Sequence, residues 1–340
     1  MGSARSRLRV TRREILAFRR RVGSLDERLP TGAESLRRAA WAGLQDSMPR
    51  AALLSLHARV DGVEPSTWEH RSLTQAWGPR YQVYVVAKRD FPLFTLARLP
   101  EDEKGRRRAQ QMAERLHRHL RDRRMTDREL GTALRIGNEL RYATTTGTLA
   151  IRWGGARAPE VWAVEVPDID PADARRELAR RYLHVYGPAT ATVFARWAGI
   201  SRRSAADAFT ALEGSLLAVR SPLGDEWLLA EDEPAMRAAE TVAAPARLLP
   251  SGDALFLFLQ AAERELLVPR QDQRERLWTS RVWPCALLVD GEIRGTWRRA
   301  QHTVRVEPWG RLSRPARDAV EAEAVALPLP LDRPIKVVWS

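Results

Sequence analysis

Apolar residues recur at helical spacing just after a short polar break near the start of the chain. The spacing predicts a helix over residues 50–60. Pro49 is expected in its first turn, where a missing N–H costs nothing. Asp46 or Ser47 is expected to cap the helix, which places Gln45 at a rigid junction. The apolar face of this helix consists of Ala52, Leu53, Leu56 and Val60.

Helices followed by short strands recur along the chain, and this is the order of a winged helix-turn-helix. The predicted elements are helices 33–44 and 50–60 with strand 83–87, then helix 104–124 with strands 149–153 and 161–166, then helix 173–186 and a helix-turn-helix around 194–201 with strands 216–219 and 227–230. From residue 244 strands dominate, and Asp290-Gly291 predicts a tight hairpin turn.

These patterns predict an α+β fold, with three tandem winged helix-turn-helix modules followed by a small C-terminal antiparallel β-barrel. The predicted units are residues 1–103, 104–170, 171–243 and 244–340. A chain of 340 residues with 44% hydrophobic residues and 12 Trp can bury several cores of this size.

Charge indicates the kind of partner. The formal net charge is +13, and arginine, whose planar fork binds two phosphate oxygens at once, supplies most of the positive side chains. We therefore expect a polyanion with phosphate groups as the partner, which for a winged helix-turn-helix is double-stranded DNA; the alternatives are a basic surface without function and a scaffold that binds only proteins. The single cysteine, Cys285, fits a reducing cytoplasm, and no signal peptide or membrane span is predicted. We expect a monomer and predict no metal or cofactor.

Two basic segments stand out. Residues 5–21 contain eight arginines and predict a helix or arm with a solvated basic face, and residues 104–124 carry nine positive and two negative side chains. Most single arginines are expected to be solvated or internally paired. The predicted DNA-contacting residues are Arg50, Arg80, Tyr81, Tyr84, Arg107, Arg152, Arg157, Arg202 and Arg203.

Four stretches in order resemble the winged-helix DNA glycosylases of the AlkZ-like type. They are GLQDSMPRAALLSLHARV (43–60), LARRYLHVYGPATATVFARWAGIS (178–201), RLLPSGDALFLFLQAAERELLVP (247–269) and LLVDGEIRGTWRR (287–299). The resemblance extends over about residues 35–325. It implies three winged-helix modules with a β-barrel, and hydrolysis of the N-glycosidic bond of bulky alkylated purines in DNA, in some members at interstrand crosslinks.

The resemblance also implies a catalytic motif of Gln, any residue, then Gln or Asp. Gln45 matches the first position, whereas Ser47 departs from the third and the acid, Asp46, comes one residue early. Residues 80–84 depart from the Arg-Gly-Thr-x-His usual in the family, and Val193 stands where an acidic residue is usual.

An alkylated purine is positively charged while it is attached, so it takes the bonding electrons readily and leaves as a neutral base. Hydrolysis therefore needs a positioned water and stabilisation of the sugar cation more than a strong acid. We predict Gln45, Asp46 and Ser47 as the catalytic residues, with Gln45 orienting the water. One alternative is that Asp46 and Ser47 only cap the helix and Gln45 is exposed. Another is a non-catalytic winged-helix DNA binder, such as a regulator or lesion sensor. The literal QxQ string at 271–273 is expected to be a polar loop.

Overall fold

The computed structural model describes residues 7–238, 245–257, 259–279 and 284–340. Its helices are α1 Arg12–Val22, α2 Ala33–Ala39, α3 Ala51–His57, α4 Phe91–Leu96, α5 Glu103–Leu120, α6 Asp127–Leu134, α7 Leu140–Ala143, α8 Pro171–Tyr186, α9 Ala191–Ala198, α10 Arg202–Thr210, α11 Glu233–Arg237, α12 Ala261–Leu267, α13 Gln271–Leu277 and α14 Arg314–Val325. Its strands are β1 Leu8–Arg9, β2 Leu44–Gln45, β3 Leu73–Trp77, β4 Val83–Ala87, β5 Met125–Thr126, β6 Leu149–Arg152, β7 Glu160–Ala163, β8 Leu216–Ser221, β9 Gly224–Leu229, β10 Arg247–Leu249, β11 Cys285–Val289, β12 Glu292–Ala300, β13 Thr303–Pro308 and β14 Lys336–Trp339.

Six strands of the first half form one sheet, in the order β2-β4-β3-β6-β7-β5. The hairpin of β3 and β4 joins the hairpin of β6 and β7 where Gln75 lies opposite Ile151. The sheet therefore continues across the boundary predicted between residues 103 and 104. Amphipathic α5 covers this junction, because Met112 and Leu116 on its apolar face pack with Trp77 of β3 and Ile151 of β6.

The N-terminal segment packs on the third part of the chain. β1 pairs in parallel with β8, and Phe18 of α1 is buried in one cluster with Val219 and Met236. The solvated basic face predicted for this segment is wrong for Arg19 and Arg20, which are both buried. Arg19 donates to the carbonyl oxygen of Gly187 at 3.2 Å, and Arg20 pairs with Asp26 at 2.8 Å. These two arginines therefore hold the fold together.

The prediction of a C-terminal antiparallel β-barrel is wrong. The five strands form an open sheet in the order β10-β11-β12-β13-β14, and its last pair, β13 and β14, is parallel. Helix α14 lies between these two strands in the chain, so the connection turns back and β14 enters in the same direction as β13. Within the described residues β14 does not pair with β10, so the sheet does not close.

Three hairpins lie where wings were predicted: β3 with β4, β6 with β7, and β8 with β9. The assignment of three winged-helix modules and the division of the chain into four units stay predictions, and the boundary at 243/244 falls outside the described residues. None of the helices in the described ranges combines the length and apolar character that a membrane crossing requires.

Candidate active site and DNA-facing surface

Gln45 is the last residue of β2 and lies directly opposite Tyr84 of β4. Gly43 precedes the strand with φ +76°, and a side chain there would lie 2.8 Å from the Phe94 ring and 2.9 Å from the Tyr84 ring. Only glycine fits this approach, which brings β2 tightly against the core. Gln45 is 7% exposed, so the alternative that it is merely exposed is wrong.

The Gln45 amide meets a loop that lies about two hundred residues later in the chain. Its Oε1 is buried without a hydrogen-bond partner in the described structure. A Cβ on Gly252, whose φ is +95°, would lie 2.4 Å from this oxygen. The loop of residues 250–253 therefore packs directly against the Gln45 amide. Two of the stretches that carried the resemblance, 43–60 and 247–269, meet here.

Asp253 anchors this loop beneath the junction. Its carboxylate is fully buried, accepts from Ser55 Oγ at 2.7 Å and pairs with Arg59 at 2.7 and 2.9 Å. Burial opposes ionisation of Asp253, but the Arg59 guanidinium outweighs it and holds the pKa of Asp253 below its ordinary value. A polar side chain at Ser55, within an otherwise apolar helix, was the signal in the sequence for this contact.

Asp46 holds the junction together from inside. One carboxylate oxygen accepts from the Ala52 N–H at 3.0 Å, and the other accepts from Gln75 Nε2 at 2.8 Å. Asp46 thus bonds an N–H of the first turn of α3, but the N-cap position is Arg50, so the expectation that Asp46 or Ser47 is the N-cap is wrong. Burial raises the pKa of Asp46 from 3.8 to about 6, and its hydrogen bonds and Arg50 only partly offset this.

The helix itself begins later than predicted. α3 starts at Ala51, after Arg50 in the left-handed region at φ +68°, so Pro49 lies before the first turn. This segment lies against the second hairpin: Arg50 donates to the Gly154 carbonyl at 3.3 Å, and Gly155 lies so close to Pro49 that an added Cβ would be 2.9 Å from it.

Gln75 is a residue that sequence reasoning missed. Besides donating to Asp46, it accepts from the Trp153 N–H at 2.6 Å, so it ties the junction to β6 and the second hairpin. The available signal was a polar side chain in a strand that is otherwise buried.

Ser47 also has a structural contact. Its hydroxyl oxygen accepts from the Val83 N–H at 3.0 Å, and the neighbouring Asp46 N–H donates to the Val83 carbonyl at 2.7 Å. These bonds hold the junction to the start of β4. Of the three predicted catalytic residues, Gln45 is the one whose side-chain oxygen accepts no hydrogen bond from the described residues.

The predicted DNA-contacting residues differ in exposure. Tyr84 is 1% exposed and stacks on Phe94 in the core, so a direct contact with DNA is wrong for this residue. Tyr81 is half-buried, and Arg50 is half-buried over the Trp68 ring at 4.3 Å. The exposed members are Arg80, Arg107, Arg152, Arg157, Arg202 and Arg203.

Several of these arginines have acidic neighbours. Arg107 pairs with Glu103 and Arg152 pairs with Glu69, while Arg203 lies 4.0 Å from Asp207. Such exposed pairs are weak and can exchange for phosphate. Arg80 donates to the Arg196 carbonyl at 3.3 Å, which brings the first hairpin beside α9 and α10.

The QxQ string at 271–273 opens helix α13, so its assignment to a loop is wrong. Gln271 and Asp272 are exposed, and Gln271 donates to Glu275 one turn later. Among the described residues, no cluster of His, Cys, Asp and Glu could hold a metal ion.

A cavity of about 350 Å³ lies beside the junction. Residues 41–44 and 254–255 contribute to its wall, but Gln45 and Gly252 do not. We therefore do not assign this cavity to the candidate catalytic amide.

A family description for AlkZ-like DNA glycosylases matches residues 37–328. The chain belongs to this family. The AlkZ-like fold is seen in the solved structure of Streptomyces sahachiroi DNA glycosylase AlkZ, which superposes with a TM-score of 0.78 at 18% sequence identity and covers 98% of this chain and 100% of that one. No curated protein sequence matches this AlkZ-like chain. Family membership supports the DNA glycosylase over the non-catalytic DNA binder.

Proposed function

We propose that this AlkZ-like glycosylase hydrolyses the N-glycosidic bond of bulky N7- or N3-alkylated purines in duplex DNA, including crosslinked ones, and that Gln45 positions the attacking water. The observation that carries the proposal is the Gln45 Oε1, a buried oxygen without a hydrogen-bond partner at the family's motif position. Buried polar atoms are nearly always paired, so an unpaired one at such a position points to a partner that arrives with the substrate.

The chemistry suits an amide. An alkylated purine carries positive charge and leaves readily, so the enzyme mainly has to hold a water against the sugar and stabilise the developing oxocarbenium ion. Gln45 Oε1 can accept a hydrogen bond from that water and present a negative dipole to the cation. This oxygen makes no hydrogen bond to the described residues, so it breaks none of them when it turns toward the substrate. The product is an abasic site, as for a monofunctional glycosylase.

Asp46 and Ser47 act in this proposal by holding Gln45. The Asp46 carboxylate is 2% exposed and bonded to Ala52 and Gln75, and the Ser47 hydroxyl is bonded to Val83. The Ser47 hydroxyl is too short to take the place of the long side chain that the family usually has at the third motif position. Gln45 therefore carries the water-positioning role in this chain.

DNA would approach between two hairpins. Arg50 and Arg157 lie in or beside the contact between the junction and the second hairpin, and Arg80 and Arg203 lie where the first hairpin meets α9 and α10. Arginines of these two regions would bind the phosphates of one duplex. We expect the protein to act as a monomer near the chromosome.

The test is single-turnover base release from a duplex with one N7-alkylguanine, beside an unmodified duplex. Gln45→Ala is expected to lower the release rate about 100-fold, as when one preorganised polar group is removed from other active sites, with DNA affinity unchanged. The matched control is Gln110→Ala, an exposed glutamine on α5. Equal release by wild type and Gln45→Ala would overturn the role of Gln45, and no release above spontaneous depurination by wild type would overturn the substrate class.

A further inference from the structure

Arg98 is a buried arginine, and one edge of its guanidinium has no hydrogen bond of normal geometry within the described residues. The side chain is 4% exposed, and Nη1 donates to the Trp77 carbonyl at 2.8 Å. Nε and Nη2 have no hydrogen bond of normal geometry within the described residues, although the nearby Tyr81 hydroxyl interacts with the guanidinium. These two nitrogens form the edge of the guanidinium that binds two oxygens side by side, so the unused edge is the one suited to a phosphate.

The guanidinium is held in a fixed orientation. Its face stacks on the Tyr81 ring at 4.2 Å, and the Trp77 carbonyl holds the opposite nitrogen. Tyr81 and its neighbour Arg80 both have positive φ, 58° and 54°, a conformation that non-glycine residues seldom adopt. Strain of this kind persists where the surroundings enforce it, and it is concentrated at binding sites.

Arg98 lines a cavity of about 520 Å³ between the first hairpin and α10. Three carboxylates line the same cavity, and each has another contact. Glu101 pairs with Arg175 and accepts from Ser204 Oγ, Asp102 caps α5 through the Gly105 N–H, and Asp207 lies 4.0 Å from Arg203. Burial lowers the pKa of Arg98 to about 10, so the group remains charged at neutral pH without a carboxylate partner.

The remaining walls favour an anion. The nine-residue helix α10 begins at the cavity with Ser201 as its N-cap, and the first peptide N–H groups of a helix attract negative charge. Arg203 of the same helix is exposed and also lines the cavity. A short stretch of chain connects the cavity to the junction. Tyr81 lines the cavity, and two residues later the Val83 N–H donates to Ser47 of the junction.

We propose that this cavity binds one phosphate of the DNA backbone, with Nε and Nη2 of Arg98 donating to two of its oxygens. This inference rests on the proposed function, since the phosphate belongs to the DNA that the glycosylase acts on. Both nitrogens are buried in the free protein, so the half-buried Tyr81 ring turns outward as the phosphate enters. This contact between Arg98 and the phosphate, here called the Arg98 clamp, holds the DNA backbone beside Gln45.

The test measures duplex DNA affinity over a range of salt concentrations for wild type, Arg98→Met and Arg98→Lys, with thermal melting of each. Loss of one phosphate contact is expected to reduce the slope of log K against log salt by about 0.9 in Arg98→Met. Affinity should fall about 10- to 100-fold, as for a lost charge-assisted bidentate contact. Arg98→Lys keeps the charge but lacks the fork, so it should keep the slope and still lose affinity. The control is Arg237→Met, an exposed arginine outside the cavity.

A second measurement identifies the phosphate itself. Single methylphosphonate substitutions along the duplex remove one backbone charge at a time, and one position should weaken wild type and Arg98→Lys but not Arg98→Met. An unchanged slope and the same methylphosphonate profile in all variants would overturn the clamp while leaving the Gln45 proposal intact. Loss of melting stability in Arg98→Met, together with wild-type DNA affinity in folded Arg98→Lys, would assign Arg98 to the core alone. If wild type shows no salt-dependent DNA binding, the proposed function itself fails.

Discussion

Replacing Asp46 with Asn tests whether the junction contains a buried carboxylate that destabilises the fold when it ionises. Asp46 is 2% exposed, and burial raises its pKa from 3.8 to about 6. An acid whose pKa is higher in the folded state binds its proton more tightly there, so its contribution to stability is full below pH 3.8 and is lost as pH rises through about 6. Asparagine cannot ionise and has no such dependence.

The magnitude follows from the two pKa values. Their difference, at 1.36 kcal/mol per pH unit, amounts to about 3 kcal/mol. The free energy of unfolding of wild type, minus that of Asp46→Asn, should therefore fall by about 2 kcal/mol between pH 4 and pH 7 and then level off, since part of the loss occurs below pH 4. A constant offset is expected as well, because the Asn amide nitrogen would face Gln75 Nε2, and losing that hydrogen bond costs about 1–3 kcal/mol at every pH.

Urea unfolding followed by tryptophan fluorescence at pH 4, 5, 6, 7 and 8 measures both quantities. Subtracting the two proteins removes the groups that titrate in both. Parallel curves would refute the raised pKa. A difference that grows with pH would show that hydrogen bonds from Ala52 and Gln75 stabilise the carboxylate more than burial destabilises it. In the same variant, base release should follow the folded fraction; a further loss of about 100-fold in fully folded protein would instead make Asp46 a general base.

Three further substitutions test the surroundings of Gln45. Gly252→Ala places a Cβ 2.4 Å from Gln45 Oε1 at φ +95°, and should lower base release about 100-fold by displacing the amide. The control Gly214→Ala, which has open space around the new Cβ, should leave the rate unchanged. Equal rates in the two variants would refute the contact. Asp253→Ala leaves Arg59 buried without its partner and should cost about 3–5 kcal/mol in urea unfolding, and a loss below about 1 kcal/mol would contradict the buried pair. Ser47→Ala removes the acceptor of the Val83 N–H and should cost about 1 kcal/mol with little change in base release; a large fall in rate at unchanged stability would place Ser47 in the chemistry.

Local signals in the sequence located many of the elements. Strand Val83–Ala87 has the predicted bounds, and a capping box of Thr126 with Glu129 begins α6. The break between helices predicted around residues 194–201 is also present, with Gly199 left-handed at φ +72° and Ser201 capping the next helix. Each of these signals depends on residues a few positions apart, so the chain specifies them before any distant contact forms.

The candidate site was predicted only in part, because its environment comes from distant segments. Gln45 was located by its motif, but its burial depends on Gly252, about two hundred residues away. Asp46 was expected to cap the helix. Its hydrogen bond from Gln75 and the rise of the Asp46 pKa on burial exist only once β3 and β4 pair. Tyr84 was predicted to contact DNA because it is a tyrosine near the junction, but it packs on Phe94 and is a core residue.

The hydrophobic periodicity, caps and turn residues of the sequence by themselves determined where most helices and hairpins form, because those signals act between neighbours along the chain. Tertiary structure decided which elements pair and which polar groups are left without a partner. The open C-terminal sheet depends on β14 returning in parallel beside β13, and the unused edge of Arg98 depends on carboxylates that are bonded elsewhere. Strand order and the burial of charge are properties of segments brought together from across the chain, which no local pattern encodes.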